Sequence, residues 1–350
     1  MATRKNHHFV PQFYFRRFSK DGHSICAMRR DSGKLIECAP IKSQASKSWF
    51  YGNDEVESAL GKIEEHCSSA LRRLTDCQTP TLLDPEQVEL TLLWLALQRT
   101  RTMAARQTAQ PFNDKFLQLF LESEISSDKD LTEEARQEML QRLDDVASDP
   151  VDAQVLQMQV AMESAAYLHD LTPMLLINKT NRPFVFGDAP VVLYNAFLKG
   201  VKLRGVLGLN TPGLLVFFPL TSRLTLALVD PSRYAIKRMR DNVVRVDNFR
   251  DVAALNKLQI HAAASCVYFD DFKLAPYVHE LWRQESRQLK AHAGNVVEAP
   301  GFSSESGEPI GDIVHGFERQ LPYDLFLTFL EHDVLGDDRY QFSRRTDAFA

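Results

Sequence analysis

The sequence predicts an α+β fold, because helical and strand-forming patterns occupy separate stretches of the chain. Residues 54–172 repeat apolar side chains at helical spacing behind good capping residues. Beyond Thr172-Pro173, short β-rich runs alternate with turn residues. Near the N-terminus, Asp31-Ser32-Gly33 joins two short flanks, which is typical of a β-hairpin. We therefore expect an N-terminal motif and β-hairpin, a central helical layer, a mixed or antiparallel sheet, and a C-terminal helix followed by a loop-rich tail.

The same patterns divide the chain into a core and an extension. We assign residues 1–292 to an α+β core, in which 1–53 hold the N-terminal motif and hairpin, 54–172 are mainly helical, and 173–292 form a sheet with helices. Residues 293–312 are rich in Gly, Ser and Pro, which is typical of an exposed loop. Residues 293–350 are therefore predicted to be a loop-rich C-terminal extension.

Capping residues set the expected helix boundaries. Asp54 is placed to cap a helix that ends at Leu74. Asp84-Pro85 predicts the start of a helix that runs past residue 105, and Pro111 predicts a break or kink. Further helices are expected at 112–123, 132–147, 150–170, 251–264 and 276–291.

Runs of β-branched and aromatic residues predict the strands. The hairpin flanks are residues 23–30 and 34–39. The later strands are expected at 174–178, 184–186, 191–194, 214–218, 224–229, 243–246 and 266–269.

Charge is distributed unevenly along the chain. The net charge of the 350 residues is only −5, which argues against a protein built to coat duplex nucleic acid. Residues 1–50 nevertheless hold ten Lys or Arg against three acidic residues, so a cationic N-terminal segment adjoins an acidic remainder. No apolar run reaches the length of a membrane helix, and the five unpatterned cysteines are typical of reduced thiols. We expect a cytoplasmic protein without a membrane partner.

The N-terminal motif places proton carriers beside cations. Its segment, residues 6–18, interleaves His7, His8, Gln12, Tyr14, Arg16 and Arg17 with aromatic residues. One imidazole can act as general acid or base, with a guanidinium stabilising the developing negative charge. Alternatively, the histidines bind a metal together with distant partners, or one imidazole bonds backbone while the other is solvated.

An apolar stripe on the helix behind Pro85 continues into cationic positions. The apolar part of the stripe consists of Val88, Leu92 and Leu95. The next positions at the same helical spacing are Arg99, Thr102 and Arg106, two of which carry guanidinium groups. A buried guanidinium needs a carboxylate, a cluster of carbonyl groups or a bound anion. The stripe therefore predicts either an anion site or ion pairs to distant acids.

Asp188 lies between two predicted strands in the sequence Gly187-Asp188-Ala189-Pro190. An aspartate in a turn commonly accepts hydrogen bonds from its own backbone. The alternative is a catalytic or metal-binding carboxylate.

Several segments together resemble one bacterial protein family. They are HHFVPQFYFRRF (residues 7–18), Trp49-Phe50-Tyr51-Gly52, Gln98-Arg99-Thr100-Arg101, the run 184–195 and Phe218-Pro219-Leu220-Thr221. Together they resemble the domain-of-unknown-function 4238 family over residues 5–270. The sequence departs from the family pattern at Gly187, Ala189 and Arg101, where we expect serine, asparagine and often proline, respectively. The resemblance implies a stand-alone prokaryotic cytoplasmic protein and mildly favours a defence-related effector, without supplying catalytic residues.

Our leading hypothesis is a nucleic-acid-directed hydrolase, most simply an RNase-like effector. His7, His8 and Asp188 are the catalytic candidates, and the substrate-binding candidates are Gln12, Tyr14, Arg17, Arg99, Arg101 and Arg106. The expected partner is RNA or a nucleotide; the sequence names no cofactor and leaves a divalent metal open. The alternative is a non-catalytic protein that binds a nucleotide or another anion as a sensor. A third interpretation gives the motif only a packing role.

Overall fold

A computed structural model of the chain describes residues 5–201, 205–302, 308–335 and 344–345. The N-terminal part consists of short elements: β1 (Asn6–His8), α1 (Gln12–Arg16), β2 (Ser24–Arg29), β3 (Leu35–Pro40) and β4 (Ser46–Ser48). Strands β2 and β3 form the predicted antiparallel hairpin, and β1 pairs with β4. Gly33 turns the hairpin at a φ of +69°, a conformation that glycine adopts without strain.

The helical layer follows directly. It contains α2 (Asp54–Cys77), α3 (Pro85–Thr100), α4 (Met103–Ser127), α5 (Glu133–Gln141) and α6 (Pro150–Glu163). Asp84 forms a capping box with Gln87 at the start of α3, because each side chain bonds the other residue's backbone N–H. Thr132 and Asp149 cap α5 and α6, because their side chains accept the backbone N–H groups of Ala135 and Val151, respectively.

Several predicted helix boundaries are wrong. The α-helices expected to reach residues 147 and 170 end at Gln141 and Glu163. Asn53, not Asp54, caps α2, because its side chain accepts the N–H groups of Glu55 and Val56. Helix α3 ends at Thr100 instead of running past residue 105, and Thr102 caps α4 by accepting the N–H of Ala105. Pro111 lies inside α4, so the predicted break is wrong there, while the alternative of a kink stays a prediction.

The β-rich second half confirms the α+β class. Its elements are β5 (Thr172–Asn178), β6 (Phe186–Gly187), β7 (Val192–Tyr194), β8 (Leu215–Thr221), β9 (Leu224–Val229), β10 (Ala235–Ile236), β11 (Val243–Val246), α7 (Phe249–Ala262), β12 (Cys266–Phe269) and α8 (Ala275–Glu285). A five-stranded mixed sheet has the order β11-β5-β9-β8-β7, in which only β11 and β5 are parallel. An antiparallel four-stranded sheet has the order β3-β2-β12-β6. Asn248 caps α7.

Both faces of the five-stranded sheet are covered. Leu175 and Leu226 belong to one core cluster together with apolar residues of α2, α3 and α6. Leu176 and Ala227, which follow them along the chain, belong to a second cluster with apolar residues of α7. This alternation is the period of two that a strand imposes on its side chains.

The segment predicted to be a loop contains a β-hairpin. Strands β13 (Asn295–Phe302) and β14 (Pro309–Phe317) pair antiparallel, so the expectation of a loop over residues 293–312 is wrong. The pairs Val296-Val297 and Ile313-Val314 provide β-forming residues that the surrounding Gly and Pro content concealed. Strand β15 (Leu330–Glu331) then pairs with β10. The division of the chain at residue 293 stays a prediction.

Two further observations concern the whole described structure. None of the helices in the described ranges combines the length and apolar character required to cross a membrane. The five cysteines of the sequence are free thiols.

Candidate functional site

His7 is completely buried beside the β4–α2 connection. Its Nδ1 atom accepts the backbone N–H of Tyr51 at 3.1 Å. The imidazole stacks on the Tyr51 ring at a centroid distance of 5.8 Å, and its edge meets Trp49. Its Nε2 atom lies 3.9 Å from Oδ1 of Asp54. A side chain with no solvent exposure has no direct access to a substrate in this conformation.

His8 is half-buried and lies nearer to the surface. Its Nε2 atom is 3.1 Å from the carbonyl oxygen of Lys42 and 3.4 Å from the amide nitrogen of Gln12. Arg16, which is exposed, donates to the side-chain oxygen of Gln12 at 3.0 Å. Burial lowers the pKa of His8, because the charged imidazolium loses solvation. Burial therefore favours the neutral form of the His8 imidazole.

Arg101, at the α3–α4 junction, is the charged centre of the contacts made with the N-terminal motif. Its guanidinium is fully buried and pairs with Glu64 at 2.8 Å. It also donates to the carbonyl oxygen of His8 at 2.7 Å and to the Tyr51 hydroxyl at 3.2 Å. These partners all come from the protein, so Arg101 fixes β1 and α2 against the α3–α4 junction.

Arg106 of α4 and the remaining candidates of the N-terminal motif also contact protein groups. The Arg106 guanidinium lies 3.8 Å from the centroid of the Phe50 ring and donates to Gln154 at 2.7 Å. Arg17 donates to the Thr75 hydroxyl at 2.9 Å. Tyr14 is buried, stacks on Phe218 and donates to the carbonyl oxygen of Pro219. Because α3 and α4 are separate helices, the predicted continuous stripe through Arg99 and Arg106 does not exist.

Asp188 is buried near the end of α7, and its hydrogen bonds include its own backbone, as the turn interpretation expects, together with a segment distant in sequence. Its carboxylate accepts the N–H groups of Ala264 at 2.7 Å, Ser265 at 2.9 Å and Cys266 at 3.3 Å. Burial raises the pKa of Asp188 to about 6, while these N–H groups oppose the rise. The aspartate thereby joins β6 to the segment that leads into β12.

The predicted residues are therefore distributed over several places, with Tyr14 against β8 and Arg17 against the last part of α2. His7, His8, Arg101 and Arg106 surround the segment Phe50-Tyr51, Asp188 lies beyond α7, and Arg99 lies in the wall of a cavity. These contacts do not bring the candidate catalytic and substrate-binding residues together at one place, and the roles of the residues stay predictions. In the described part of the chain, no group of three His, Cys, Asp or Glu side chains is arranged to hold a metal ion.

The cavity of about 790 Å³ lies between α3, α4, α6, β7 and the base of the β13–β14 hairpin. Its walls are built largely from small side chains that leave the space unfilled, among them Ala96, Ala105, Ala109, Ala153 and Ala161. Leu156, Val160 and Tyr167 also line it, although each is about half exposed. The surface is mostly apolar and open to solvent at one side.

Charged groups occur at one wall of this cavity. Arg99 pairs with Glu318 at 2.5 Å, and the two side chains are 27% and 36% exposed. Both therefore remain accessible in part. His292 also lines the cavity; its Nε2 atom lies 2.9 Å from the carbonyl oxygen of Ala263, and burial lowers its pKa.

Comparison with known families gives one match. The sequence model of the family described as Protein of unknown function (DUF4238) matches residues 6–273. The chain belongs to this family. No curated protein and no solved structure matches the chain.

The DUF4238 segment contains the N-terminal motif, both sheets and most of the cavity wall, including Arg99. The β13–β14 hairpin lies after it, so Glu318 comes from outside the matched residues. Gly316 and Gly294 allow the hairpin to lie against α4, because a Cβ atom at either position would meet the Phe112 ring at 2.1 Å or the Thr108 carbonyl oxygen at 2.2 Å.

Sequence reasoning missed the cavity and found only Arg99 of its charged pair. A usable signal was the repetition of alanine on neighbouring helices, at Ala105 and Ala109 of α4 and at Ala153 and Ala161 of α6. Residues four apart share one face of a helix, so small side chains there leave space between packed helices.

Proposed function

We propose that the protein is a non-catalytic binding protein whose cavity holds a small molecule with an apolar body and an anionic group. The observation that carries this proposal is a cavity of about 790 Å³ with Arg99 in its mostly apolar wall. Sites for small molecules usually have volumes of about 300–1,000 Å³ and a few polar groups on an apolar surface. The proposed setting is the cytoplasm, where free thiols such as the five cysteines persist.

Arg99 supports an anionic ligand because its present partner is exchangeable. Glu318 is partly exposed and directly follows strand β14, so a ligand carboxylate, sulfonate or phosphate can replace it on the guanidinium. Planar guanidinium groups bind such oxyanions through two parallel hydrogen bonds. The buried Arg101, in contrast, already has a complete set of protein partners.

A second candidate is RNA hydrolysis at His8. The favouring observation is that His8 keeps partial exposure and lies beside Gln12, which the exposed Arg16 contacts. Cleavage of labelled RNA in a chelator, lost in His8→Ala, would support it. Absence of cleavage by the wild-type protein would remove it.

The binding proposal is tested with two fluorescent probes of matched shape. 8-Anilinonaphthalene-1-sulfonate carries an anion on an apolar body, and N-phenyl-1-naphthylamine lacks the charge. We expect saturable binding of the sulfonate to the folded protein at one site. Ala109→Phe fills the cavity and should abolish this binding, because Ala109 lines its wall.

The control places the same side chain elsewhere on α4. Gln107 is exposed and does not line the cavity, so Gln107→Phe should leave binding unchanged. Thermal unfolding curves of both variants show whether each is folded. Equal binding by wild type and a folded Ala109→Phe protein would overturn the proposal.

A further inference from the structure

Five exposed basic residues surround one end of the five-stranded sheet. They come from the loop after β5, the β8–β9 turn, the last part of β11 and the first turn of α7: Lys179, Arg182, Arg223, Arg245 and Arg250. We call this set the cationic rim. It lies apart from the cavity, since none of its members lines that space.

Backbone hydrogen bonds hold these segments together. The N–H of Lys179 donates to the carbonyl oxygen of Val246 at 3.0 Å, which joins the loop after β5 to the end of β11. The N–H of Asn178 donates to the carbonyl oxygen of Arg223 at 2.9 Å, which joins the same loop to the β8–β9 turn. The Arg223 guanidinium donates to the carbonyl oxygen of Thr180. The rim is therefore carried on a fixed backbone.

The rim has few acidic neighbours. Between Asp170 and Asp230 the sequence has a single acidic residue, Asp188, and that carboxylate is buried. Asp247 is the exposed acid on the segment between Arg245 and Arg250. Within the described ranges, none of the five rim residues forms an ion pair. A local excess of positive charge on a protein of net charge −5 attracts a polyanion to this end of the sheet.

An aromatic side chain accompanies the charges. Phe249 begins α7, directly before Arg250, and 58% of its surface is exposed. Aromatic side chains beside cationic groups are the usual means of binding unpaired bases, because every base offers a flat face for stacking. Arg182 is held over the Tyr277 ring at 4.8 Å, so its guanidinium is positioned while it stays exposed.

We propose that the cationic rim and Phe249 bind single-stranded RNA. The rim contacts backbone phosphates, and Phe249 stacks on one base. A duplex would satisfy the charges but would hide the base faces from Phe249. This inference is independent of the cavity, so Arg99→Gln should leave RNA binding unchanged.

The first test compares two charge reversals of equal size. The probe is a fluorescently labelled, unstructured oligouridine, and binding is measured by anisotropy at low salt. The double variant Arg245→Glu/Arg250→Glu should weaken binding at least about tenfold. It should also reduce the salt dependence of binding, because a complex with fewer phosphate contacts releases fewer counterions from the RNA. The control is Lys129→Glu/Arg142→Glu, which makes the same change of charge at exposed positions around α5.

The control pair should change the affinity for RNA by less than about twofold, beyond the weakening that the lower net charge of the whole protein causes. Equal weakening by both pairs of substitutions would overturn the proposal, because it would show that RNA responds to the net charge of the protein and has no binding site at the cationic rim. Absence of RNA binding by the wild-type protein, with binding to phosphatidylserine vesicles in its place, would also overturn it.

The second test isolates the base contact. Phe249→Ser should weaken binding of oligouridine about tenfold, in line with the loss of one stacked base, and leave binding of duplex RNA unchanged. Equal loss for both RNAs, or no loss for either, would overturn the assignment to single strands. A circular dichroism spectrum confirms that the variant keeps its fold.

Discussion

Arg101 and Tyr51 bind each other twice. The Arg101 Nε atom donates to the Tyr51 hydroxyl at 3.2 Å, and that hydroxyl donates to the Arg101 carbonyl oxygen at 3.0 Å. Both side chains are buried, so water cannot replace either bond. The pair closes a link between the segment before α2 and the junction of α3 with α4. The break between these helices is therefore stabilised by contacts distant in sequence.

Tyr51→Phe should lower the free energy of unfolding by about 2 kcal/mol, because it leaves a buried guanidinium N–H and a carbonyl oxygen without their partner. Urea denaturation measures this. Tyr167→Phe is the control, since Tyr167 is 46% exposed and should lose little. Equal stability of the two variants would contradict a structural role for the Tyr51 hydroxyl.

Glu64→Gln should destabilise the protein by about 2 kcal/mol, because it removes the carboxylate that neutralises the buried Arg101. The partial exposure of Glu64 keeps the cost below that of a fully buried pair. Glu65→Gln changes the same charge at the next, exposed position and should change stability by less than about 0.5 kcal/mol. Similar unfolding midpoints for both variants would show that the Arg101 charge is compensated elsewhere.

Arg99→Gln and Glu318→Gln should affect the anionic cavity probe in opposite directions. Loss of Arg99 should weaken binding of 8-anilinonaphthalene-1-sulfonate about tenfold, or about 1.4 kcal/mol. Loss of the Glu318 charge frees Arg99 and should strengthen binding about threefold. Fluorescence titration measures both, with N-phenyl-1-naphthylamine as the uncharged control. Parallel changes for the two probes would indicate altered cavity shape instead of charge recognition.

Asp188 should make folding stability depend on pH in a defined direction. Its pKa is raised to about 6 by burial, so the folded protein holds this proton more tightly than the unfolded chain does. The contribution of Asp188 to the free energy of unfolding should therefore fall as pH rises from about 4 to about 6, and stay constant above that range. The change should be on the order of 3 kcal/mol.

The measurement is the difference in unfolding free energy between wild type and Asp188→Asn, which does not titrate there. Taking this difference at each pH cancels other titrating groups, including His8 and His292 with lowered pKa values. A difference that grows with pH would show that the three backbone N–H groups hold Asp188 charged.

The parts of the fold that could be predicted are those with a local sequence signal. Asp84-Pro85, Thr132 and Asp149 mark helix starts because their side chains bond backbone only two or three residues away. The end of α3 has no such signal, since neither Gly nor Pro lies between Arg99 and Thr102. Helix α3 ends there because Arg101 is buried against Glu64 and Tyr51. The hydrophobic periodicity of a segment does not show contacts with residues so distant in sequence.

The candidate site was predictable only in part for the same reason. The N-terminal motif is unusual in composition, and the structure gives it an unusual buried network. Which side chains face inward depends on partners at Tyr51 and Glu64, far along the chain. The cavity depends on space between helices, which no single segment encodes. Arg99 was predicted from its charge in an apolar stripe, whereas Glu318 lies in a segment predicted to be loop-rich.

Glu318 directly follows the β13–β14 hairpin, so the two members of the charged pair in the cavity wall come from different parts of the chain. A chain that ended with the family segment would retain Arg99 but would expose it in an open groove without a neutralising carboxylate. Sequence change in the C-terminal hairpin can therefore adjust both the charge and the enclosure of the groove while the family core stays intact. In such an arrangement, the ligand preference of the groove can change from one family member to another without a change in the stability of the core.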